Sequence, residues 1–571
     1  MLDPKIFRNF LITRRQFVLG GIQASLVALI VGRLGYLQLY KYNQYLQRSK
    51  KNRTSKILLA PIRGEIIDCK EIKVATNLQQ FNLILRRPTS KIAQDSLEKV
   101  FTLLQLSVYQ KQEIKQKIKN TANALLMQNL SWEQVVLVEQ NIFDLKHVFI
   151  EYNLIRGYPF ANCMSHLIGY AALEYDELGR VRSVGKSGIE KTYDQQLKGE
   201  FGLRELEIDA HGNTIRELSL SPSQTGQNIT LSIDCSLQNK VATIFQGLTG
   251  AAIVYDLKKQ QILSMFSSPN FESNDFASKN LSRKKWQNLQ QDPKLPLLNK
   301  AISSVFPPGS IFKLVTCLAA LKYGISPNQK FLCKAGGFLG DKFNCWKLDG
   351  HGLLNMEEAI GVSCNHYMYN IAQIIGQKNI TDMARTLGLG QKIGIDLPGE
   401  IQGSLPSVGI FKPSLSKALN LCIGQGEIAA TPLQLSRLIS IIARKGQPAS
   451  YHLKLGCDPS SQKLGLDHSY FEIIHKGMWR SVNHTSGTSK AVKSKIILAG
   501  KTGTAQVFSK KNVQDLDNLP WHLKNHALLG GFGPFEDPKF SVMVVIEHGG
   551  SGGRDAAPIA KKIFDLLWQI K

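Results

Sequence analysis

Hydrophobic and polar positions divide the chain into segments of different period. Phe17 to Leu39 is a mostly apolar run of 23 residues, interrupted by Gln23, Arg33 and Gln38, and about 20 such residues span a bilayer core. Tyr40 to Lys56 is polar and basic and reads as a stem. Pro61-Ile62-Arg63-Gly64-Glu65-Ile66-Ile67-Asp68 alternates in the manner of an extended segment, and Ser90 to Asn129 places Leu, Ile and Val among Lys, Gln and Glu at helical spacing, which predicts two helices in a side lobe. Turn-punctuated pieces from Gly185 to Ile215 predict a β-rich pedestal, and Asn228 to Asp234 predicts a strand. Beyond it Ala251 to Tyr255 reads as a strand, followed by a helical middle and three late strands, Ile496 to Phe508, Ala527 to Gly533 and Phe540 to His548. A final amphipathic helix runs from Pro558 to Ile570, with Ile559, Ile563, Leu566 and Leu567 on one side.

The expected organisation is a tail over 1–16, an anchor over 17–39, a pedestal over 40–225 with a side lobe over about 84–150, and a larger domain over 226–571. The fold class is α+β, the last domain being an antiparallel sheet covered by helices. At 571 residues the chain exceeds one core, and 43% hydrophobic with 20% charged residues describes a globular protein.

A net charge of +26 raises nucleic acid as a partner, but the lysines are scattered and accompany no zinc-finger, homeodomain or RNA-binding signature. The expectation is no nucleic acid, and a basic solvated surface near anionic lipid or wall polymer. No small-residue cleavage site follows the apolar run, so the reading is an uncleaved anchor. Lys5, Arg8, Arg14 and Arg15 favour a cytoplasmic tail, although Lys41, Arg48, Lys50, Lys51 and Arg53 leave the charge balance ambiguous. Thr13 to Leu19 also fits a twin-arginine export signal, with ordinary anchoring arginines as the simpler alternative.

Three short strings carry chemistry, in the order Ser310-Ile311-Phe312-Lys313, Ser363-Cys364-Asn365 and Lys501-Thr502-Gly503-Thr504. The first sets a hydroxyl and an amine one helical turn apart on one face. Pro307-Pro308-Gly309 stops the chain just before Ser310, and Leu314, Val315, Leu318 and Leu321 give the helix that follows an apolar side. A serine at a helix start has free N–H groups nearby to stabilise an oxyanion. Lys313 needs a depressed pKa to take the serine proton. Lys501 is expected to stay charged and hold a carboxylate, with Thr502 and Thr504 donating hydroxyls and Gly503 leaving room for substrate. The N–H groups of Ser310 and Thr504 are expected to form the oxyanion hole, Ser363 to relay a proton and Asn365 to hold a substrate amide. Taken singly, Ser363 and Asn365 read as turn or cap residues. The ordered trio changes that.

This trio resembles that of serine β-lactamases and penicillin-binding proteins, and nearly the full length is similar to the class B penicillin-binding proteins. Arg63-Gly64, Arg156-Gly157-Tyr158-Pro159, His166-Leu167-Ile168-Gly169-Tyr170, Gly188-Ile189-Glu190 and Lys198-Gly199 resemble that family's pedestal module. Ile423-Gly424-Gln425-Gly426, Thr431-Pro432-Leu433-Gln434 and Lys501 to Gln506 resemble its transpeptidase domain, and Asn344 to Gly352 is similar to the elongation-type, penicillin-binding protein 2 branch. Two departures stand out: Ser-Cys-Asn where Ser-Asp-Asn is frequent, and Cys69 after Asp68 where a basic residue is expected.

The resemblance implies a single-pass inner-membrane D,D-transpeptidase, its catalytic domain in the periplasm, crosslinking peptidoglycan stem peptides in lateral growth and trapped by β-lactams. It also implies a SEDS-type glycosyltransferase and a rod-shape scaffold protein as partners. The same chemistry in a membrane-tethered carboxypeptidase or β-lactamase is one alternative, and a non-catalytic protein that docks and activates a wall polymerase is another. Catalysis needs no cofactor.

Nine cysteines cannot all pair within one chain. Cys333 and Cys345 are candidates for a disulfide. Alternatively Cys333, Cys345, His351 and Cys364 form a Cys3His set suited to closed tetrahedral zinc. Their spacing lacks a close Cys-x-x-Cys pair, and the resemblance supports zinc because some relatives of the elongation branch bind it at matching places. The polar stretch Ser509 to Asn525, with Trp521, is read as a passive loop, with a flap over the site as the alternative.

Overall fold

The computed structural model describes residues 14–86, 88–118, 123–175, 181–209, 214–278, 281–340, 342–407, 414–456, 464–507 and 519–569. They fall into two compact units, Met1–Pro61 with Glu200–Thr225, and Ile62–Gly199 with Gly226–Lys571. The loop expected over Ser509 to Asn525, the start of the twin-arginine string and Cys457 lie wholly or partly outside the described residues.

In the first unit the apolar run forms an α-helix, Arg14–Gly35, continued by a π-helical turn, Tyr36–Tyr40. Its large apolar side chains are exposed along the length, an arrangement that water disfavours and lipid accepts. Among the described residues this is the one helix long and apolar enough to cross a membrane. Arg33 and Lys41 each sit 5.5 Å from the Tyr36 ring centroid, an aromatic and basic collar of the kind found at a membrane interface. The polar stem is itself largely helical, over Tyr42–Arg53. The strand Thr54–Leu59 then pairs antiparallel with Gly202–Ile208, which pairs with Thr214–Ser221.

In the second unit a long strand, Lys73–Arg86, pairs antiparallel with Val148–Gly157 and, at its far end, with Asn123–Met127. The side lobe packs Leu97, Val100, Phe101 and Val138 against Leu83 and Leu85 of this strand. Ser90 to Asn129 does supply two helices, Lys91–Leu103 and Val108–Lys117, capped by Ser90 and Ser107. Its last residues form the strand 123–127 instead, because pairing with Leu83 to Arg86 satisfies their backbone groups. Asn228 to Asp234 is likewise cut short to Ile229–Thr230, since the Asp234 side chain accepts from the Leu237 N–H and starts the helix Cys235–Ile244.

A buried ionic knot ties the pedestal. Glu190 accepts from Arg63 Nε at 2.7 Å and Arg156 Nε at 2.6 Å, and Asp194 accepts from Arg63 Nη1 at 2.7 Å. The turn at Asp68 is intact without a basic residue at 69. Asp68 accepts from the N–H groups of Lys70, Ile72 and Cys235, and Lys70, one place later, pairs with Asp234 at 2.8 Å.

The remaining residues build a five-stranded antiparallel sheet from β1 (Gly250–Asp256), β2 (Gln261–Ser268), β3 (Ala499–Ala505), β4 (His526–Gly533) and β5 (Phe540–Ile546), in the order β2-β1-β5-β4-β3. The covering helices include α1 (Lys313–Lys322), α2 (Asn365–Thr386), α3 (Pro432–Ala443), α4 (His468–Asn483) and α5 (Ala557–Gln569). Helix α3 packs along β1, β4 and β5, and α5 packs on β5. The architecture is thus the α+β one expected, with β3 on an edge and α1 buried nearly throughout.

Candidate active site

The site forms where the start of α1 meets β3. Gly309 to Phe312 is a 3-10 turn that leads directly into α1, so Ser310 lies one turn ahead of Lys313. Two glycines let this turn approach its neighbours. Gly309 has φ +53°, and a Cβ there would lie 2.8 Å from the Thr504 carbonyl oxygen and 3.2 Å from the Thr504 nitrogen. Gly424, from the Ile-Gly-Gln-Gly string, accepts from the Gly309 N–H at 3.0 Å and would clash with it if it carried a side chain. The space beside Gly503 is filled by the chain's own Pro308 carbonyl and Ile311 side chain, 2.9 and 3.2 Å from an added Cβ. This glycine therefore lets the nucleophile turn seat against β3.

Lys313 and Lys501 are both fully buried, and their amines meet on one hydroxyl. Ser363 Oγ lies 2.8 Å from Lys501 Nζ and 3.2 Å from Lys313 Nζ. Lys313 also donates to the Ser363 carbonyl at 2.7 Å and to Asn365 Oδ1 at 2.6 Å. A neutral amine has two hydrogens and one lone pair. With both hydrogens spent on those oxygens, the lone pair of Lys313 remains for a hydroxyl proton. Burial pushes Lys313 down to about 8, and pushes Lys501 well below the usual lysine value, with the Lys313 charge as the second cause. Two ammonium groups sharing one dry hydroxyl repel, so one proton between them is the comfortable state. Ser310 is half-buried, and its hydroxyl takes none of these bonds.

Ser363 sits at φ +55°, a left-handed conformation that costs a non-glycine residue. It joins two helices. Its N–H caps the helix Met356–Gly361 through the Ile360 carbonyl, and the next residue, Cys364, is the N-cap of α2, its Sγ accepting from the Tyr367 N–H at 3.5 Å. The strained turn aims the hydroxyl at both lysines. Thr502 is held by residues that the sequence motifs did not single out: its N–H donates to Ser489 Oγ at 3.2 Å, and its hydroxyl lies 3.5 Å from that of Thr488. Only the turn-forming composition of Ser486 to Ser489 hinted at this segment. Thr504 Oγ1 accepts from the Gly552 N–H at 3.1 Å, which leaves its own proton to donate.

Cys333, Cys345, His351 and Cys364 also converge, their ligand atoms all within 4.8 Å of one another. His351 Nδ1 is 3.4 Å from Cys333 Sγ and 3.5 Å from Cys345 Sγ. The first and third of these residues sit on a two-stranded hairpin, Phe331–Lys334 with Gly350–Leu354. The three sulfurs are free thiols. A hydrogen bond from Cys364 and then His351 hold the Cys345 thiol low, whereas that same bond and burial push Cys364 up. Cys345 Sγ accepts from the Asn365 N–H at 3.4 Å, and Asn365 Nδ2 donates to the Asn344 carbonyl at 3.0 Å. This cluster is therefore fastened to the middle motif.

An ordered serine, lysine and lysine around an edge strand of an antiparallel sheet defines the class of penicillin-recognising serine acyltransferases. Comparison with known proteins agrees. Residues 250–565 match the penicillin-binding protein transpeptidase domain and residues 58–231 the penicillin-binding protein dimerisation domain. The chain is 30% identical to the peptidoglycan D,D-transpeptidase MrdA of Acinetobacter baumannii, over 99% of this chain and 88% of that one. It is 27% identical to the protein of that name from Escherichia coli, over 92% and 90%. Among solved structures, penicillin-binding protein PBP2 of Helicobacter pylori in complex with MreC superposes with a TM-score of 0.78 at 27% identity, covering 90% of this chain and 99% of that one. A chain from a peptidoglycan synthase complex that coordinates polymerization and crosslinking superposes with a TM-score of 0.75 at 26% identity, covering 98% and 99%. The chain belongs to the class B penicillin-binding proteins, in the elongation-type D,D-transpeptidase branch.

Proposed function

We propose that the chain crosslinks peptidoglycan through an ester on Ser310. The observation that carries the residue roles is the meeting of Lys313 and Lys501 on Ser363 Oγ. A stem peptide ending in two D-alanines enters with its carboxylate toward Lys501, Thr502 and Thr504. That carboxylate restores the Lys501 charge, and the shared proton leaves Lys313 neutral. Lys313 takes the Ser310 proton as the oxygen attacks the carbonyl between the D-alanines, and the N–H groups of Ser310 and Thr504 hold the oxyanion. The C–N bond breaks, the proton passes through Ser363 to the departing amine, and D-alanine leaves. An amine from a neighbouring strand then attacks the ester. The C–N bond forms, the C–O bond to Ser310 breaks, and the amine's proton returns to Ser310 by the same relay. Asn365, fixed by Lys313 and Asn344, orients the substrate amide.

Cys333, Cys345, His351 and Cys364 are read as a structural zinc site. Supporting this, a tetrahedral ion about 2.3 Å from sulfur and about 2.0 Å from nitrogen sets sulfur and nitrogen about 3.5 Å apart, the separation seen from His351 to Cys333 and Cys345. When bound, the ion supplies no chemistry beyond bracing Asn365 and the Ser363 turn. Metal analysis of the purified protein should give about one zinc per chain, lost in Cys364→Ser. Metal-free wild-type protein with a Cys333–Cys345 disulfide would end this reading.

The apolar helix is the single membrane anchor, with both larger domains in the periplasm. A rod-shape scaffold and a glycan polymerase are the partners expected, by analogy with the relatives solved with MreC and in a synthase complex. Incubation with a pentapeptide donor and an amine acceptor tests the activity. Release of D-alanine with a new amide product supports transpeptidation, whereas hydrolysis alone, at every acceptor concentration, contradicts it.

A further inference from the structure

The three cysteines of the Cys3His cluster differ in exposure and in what they hold. Cys333 and Cys364 are 1% and 0% exposed, whereas Cys345, on the loop between the two hairpin strands, is 5% exposed. Of the three, Cys345 is the one that a solute the size of water or peroxide reaches first. Its sulfur accepts from the Asn365 N–H at 3.4 Å, and the Cys364 thiol is hydrogen-bonded to it. Cys364 in turn accepts from the Tyr367 N–H at 3.5 Å and so caps α2. Ser363 and Asn365, on either side of Cys364, supply the oxygens that fix Lys313, at 2.7 and 2.6 Å. Ser363 sits at φ +55°, a conformation kept only while its surroundings hold it.

Tetrahedral zinc keeps its sulfur ligands about 3.8 Å apart, in keeping with ligand atoms that all lie within 4.8 Å of one another. A disulfide holds two sulfurs at about 2.0 Å. Joining Cys345 to Cys364 therefore draws the hairpin loop and the N-cap of α2 together by about 1.7 Å. A sulfur in a disulfide also carries less charge than a metal-bound thiolate and accepts hydrogen bonds more weakly, so the bonds from the Asn365 and Tyr367 N–H groups loosen together. Two of the four ligands are consumed by the same step. His351 is poorly braced to keep the ion alone, because its Nε2 is buried with no hydrogen-bond partner among the described residues, where a carboxylate or carbonyl ordinarily steadies a zinc histidine.

Resting on the zinc reading above, we propose that Cys345 is a modification site for small peroxides, whose oxidation to a Cys345–Cys364 disulfide frees the metal and slackens the Ser363 turn. The Cys345 sulfur attacks one peroxide oxygen, the O–O bond breaks, hydroxide leaves and Cys345 becomes a sulfenic acid. The Cys364 sulfur then attacks the Cys345 sulfur, the S–S bond forms, the S–O bond breaks and a second hydroxide leaves. The two sulfurs give up two electrons and the peroxide takes them, its oxygens ending as water and, for an organic peroxide, an alcohol. Outside the cytoplasm thiols are not kept reduced by glutathione or thioredoxin, so the cluster persists there only while metal and burial protect it. With the turn released, the oxygens that orient Lys313 shift and acylation of Ser310 slows.

The test treats the full-length protein in detergent with hydrogen peroxide and reads zinc released to a colorimetric chelator, the state of each cysteine by peptide mapping, and the rate of acylation by penicillin. About one zinc per chain should be released in step with a Cys345–Cys364 disulfide. Acylation should slow about tenfold or more, and dithiothreitol with added zinc should restore it. Cys69→Ser, which removes a half-buried thiol outside the cluster, should respond as the wild type does. Zinc retained with all three sulfurs still reduced overturns the proposal. So does zinc loss through a disulfide elsewhere, or through an oxidation that the reductant does not reverse. The expected disulfide with acylation unchanged also overturns it, by cutting the link from cluster to catalysis. Protein that holds no zinc before peroxide is added overturns the zinc reading and this proposal together.

Discussion

Replacing Glu190 by glutamine keeps the shape of the pedestal knot and removes its central charge. The side chains of Glu190, Arg63 and Arg156 are 0%, 3% and 1% exposed, so water cannot compensate. Both Nε bonds, at 2.7 and 2.6 Å, end on this carboxylate, and the Tyr158 hydroxyl lies 3.3 Å from it. After substitution the one remaining carboxamide oxygen can accept from only one of the two guanidinium groups; Asp194 still balances Arg63, whereas Arg156 loses its counter-charge and is left with neutral acceptors such as the Gly64 carbonyl and Asn77 Oδ1. Breaking a buried pair in this way costs about 3–5 kcal/mol, a large share of the roughly 5–15 kcal/mol that stabilises a domain. At about 1.4 kcal/mol per factor of ten, amides that exchange through opening of the pedestal should lose roughly two to three and a half orders of magnitude of protection. Hydrogen–deuterium exchange resolved by mass spectrometry over residues 62–85 and 150–199 reads this directly. Glu174→Gln, which removes a half-exposed partner of Lys186, should leave the same peptides unchanged. A change below tenfold in Glu190→Gln, with normal penicillin acylation, would refute the claim that this knot holds the pedestal together.

Two further outcomes follow from the site geometry. With Lys313 proposed to act as a neutral amine, the second-order rate of acylation by penicillin should climb as pH rises through about 8, the value to which burial brings it; a profile flat from pH 6 to 9 contradicts that role. Gly309→Ala places a Cβ 2.8 Å from the Thr504 carbonyl oxygen at φ +53° and displaces the Ser310 N–H from the oxyanion position. Acylation measured by stopped flow should then fall about 100-fold or more, and a loss under threefold would show that the turn tolerates a side chain.

The parts legible in the sequence are those encoded over a few residues. The Ser310, Ser363 and Lys501 strings, the apolar anchor and the late strands each carry a local signal, and the strands came within a few residues of their observed ends. Local period failed where a tertiary contact overrode it. Ala124 to Met127 continues the apolar spacing of a helix yet pairs with Leu83 to Arg86 as a strand, and Asp234 ends an extended run by capping a helix. Convergence over long separations was not legible either. Arg63 meets Glu190 across 127 positions, and the supports of Thr502 at Thr488 and Ser489 carry no motif. The close seating of Pro308 and Ile311 against Gly503 was not legible either, since it joins segments almost 200 positions apart.

The central claim is that residues distant in sequence make Ser310 the acyl acceptor. Mass spectrometry of the full-length protein after incubation with benzylpenicillin, with peptide mapping of the adduct, tests it most directly. One penicilloyl group is expected on the peptide containing Ser310, abolished in Ser310→Ala. An adduct on any other residue, or equal labelling of Ser310→Ala, would contradict it.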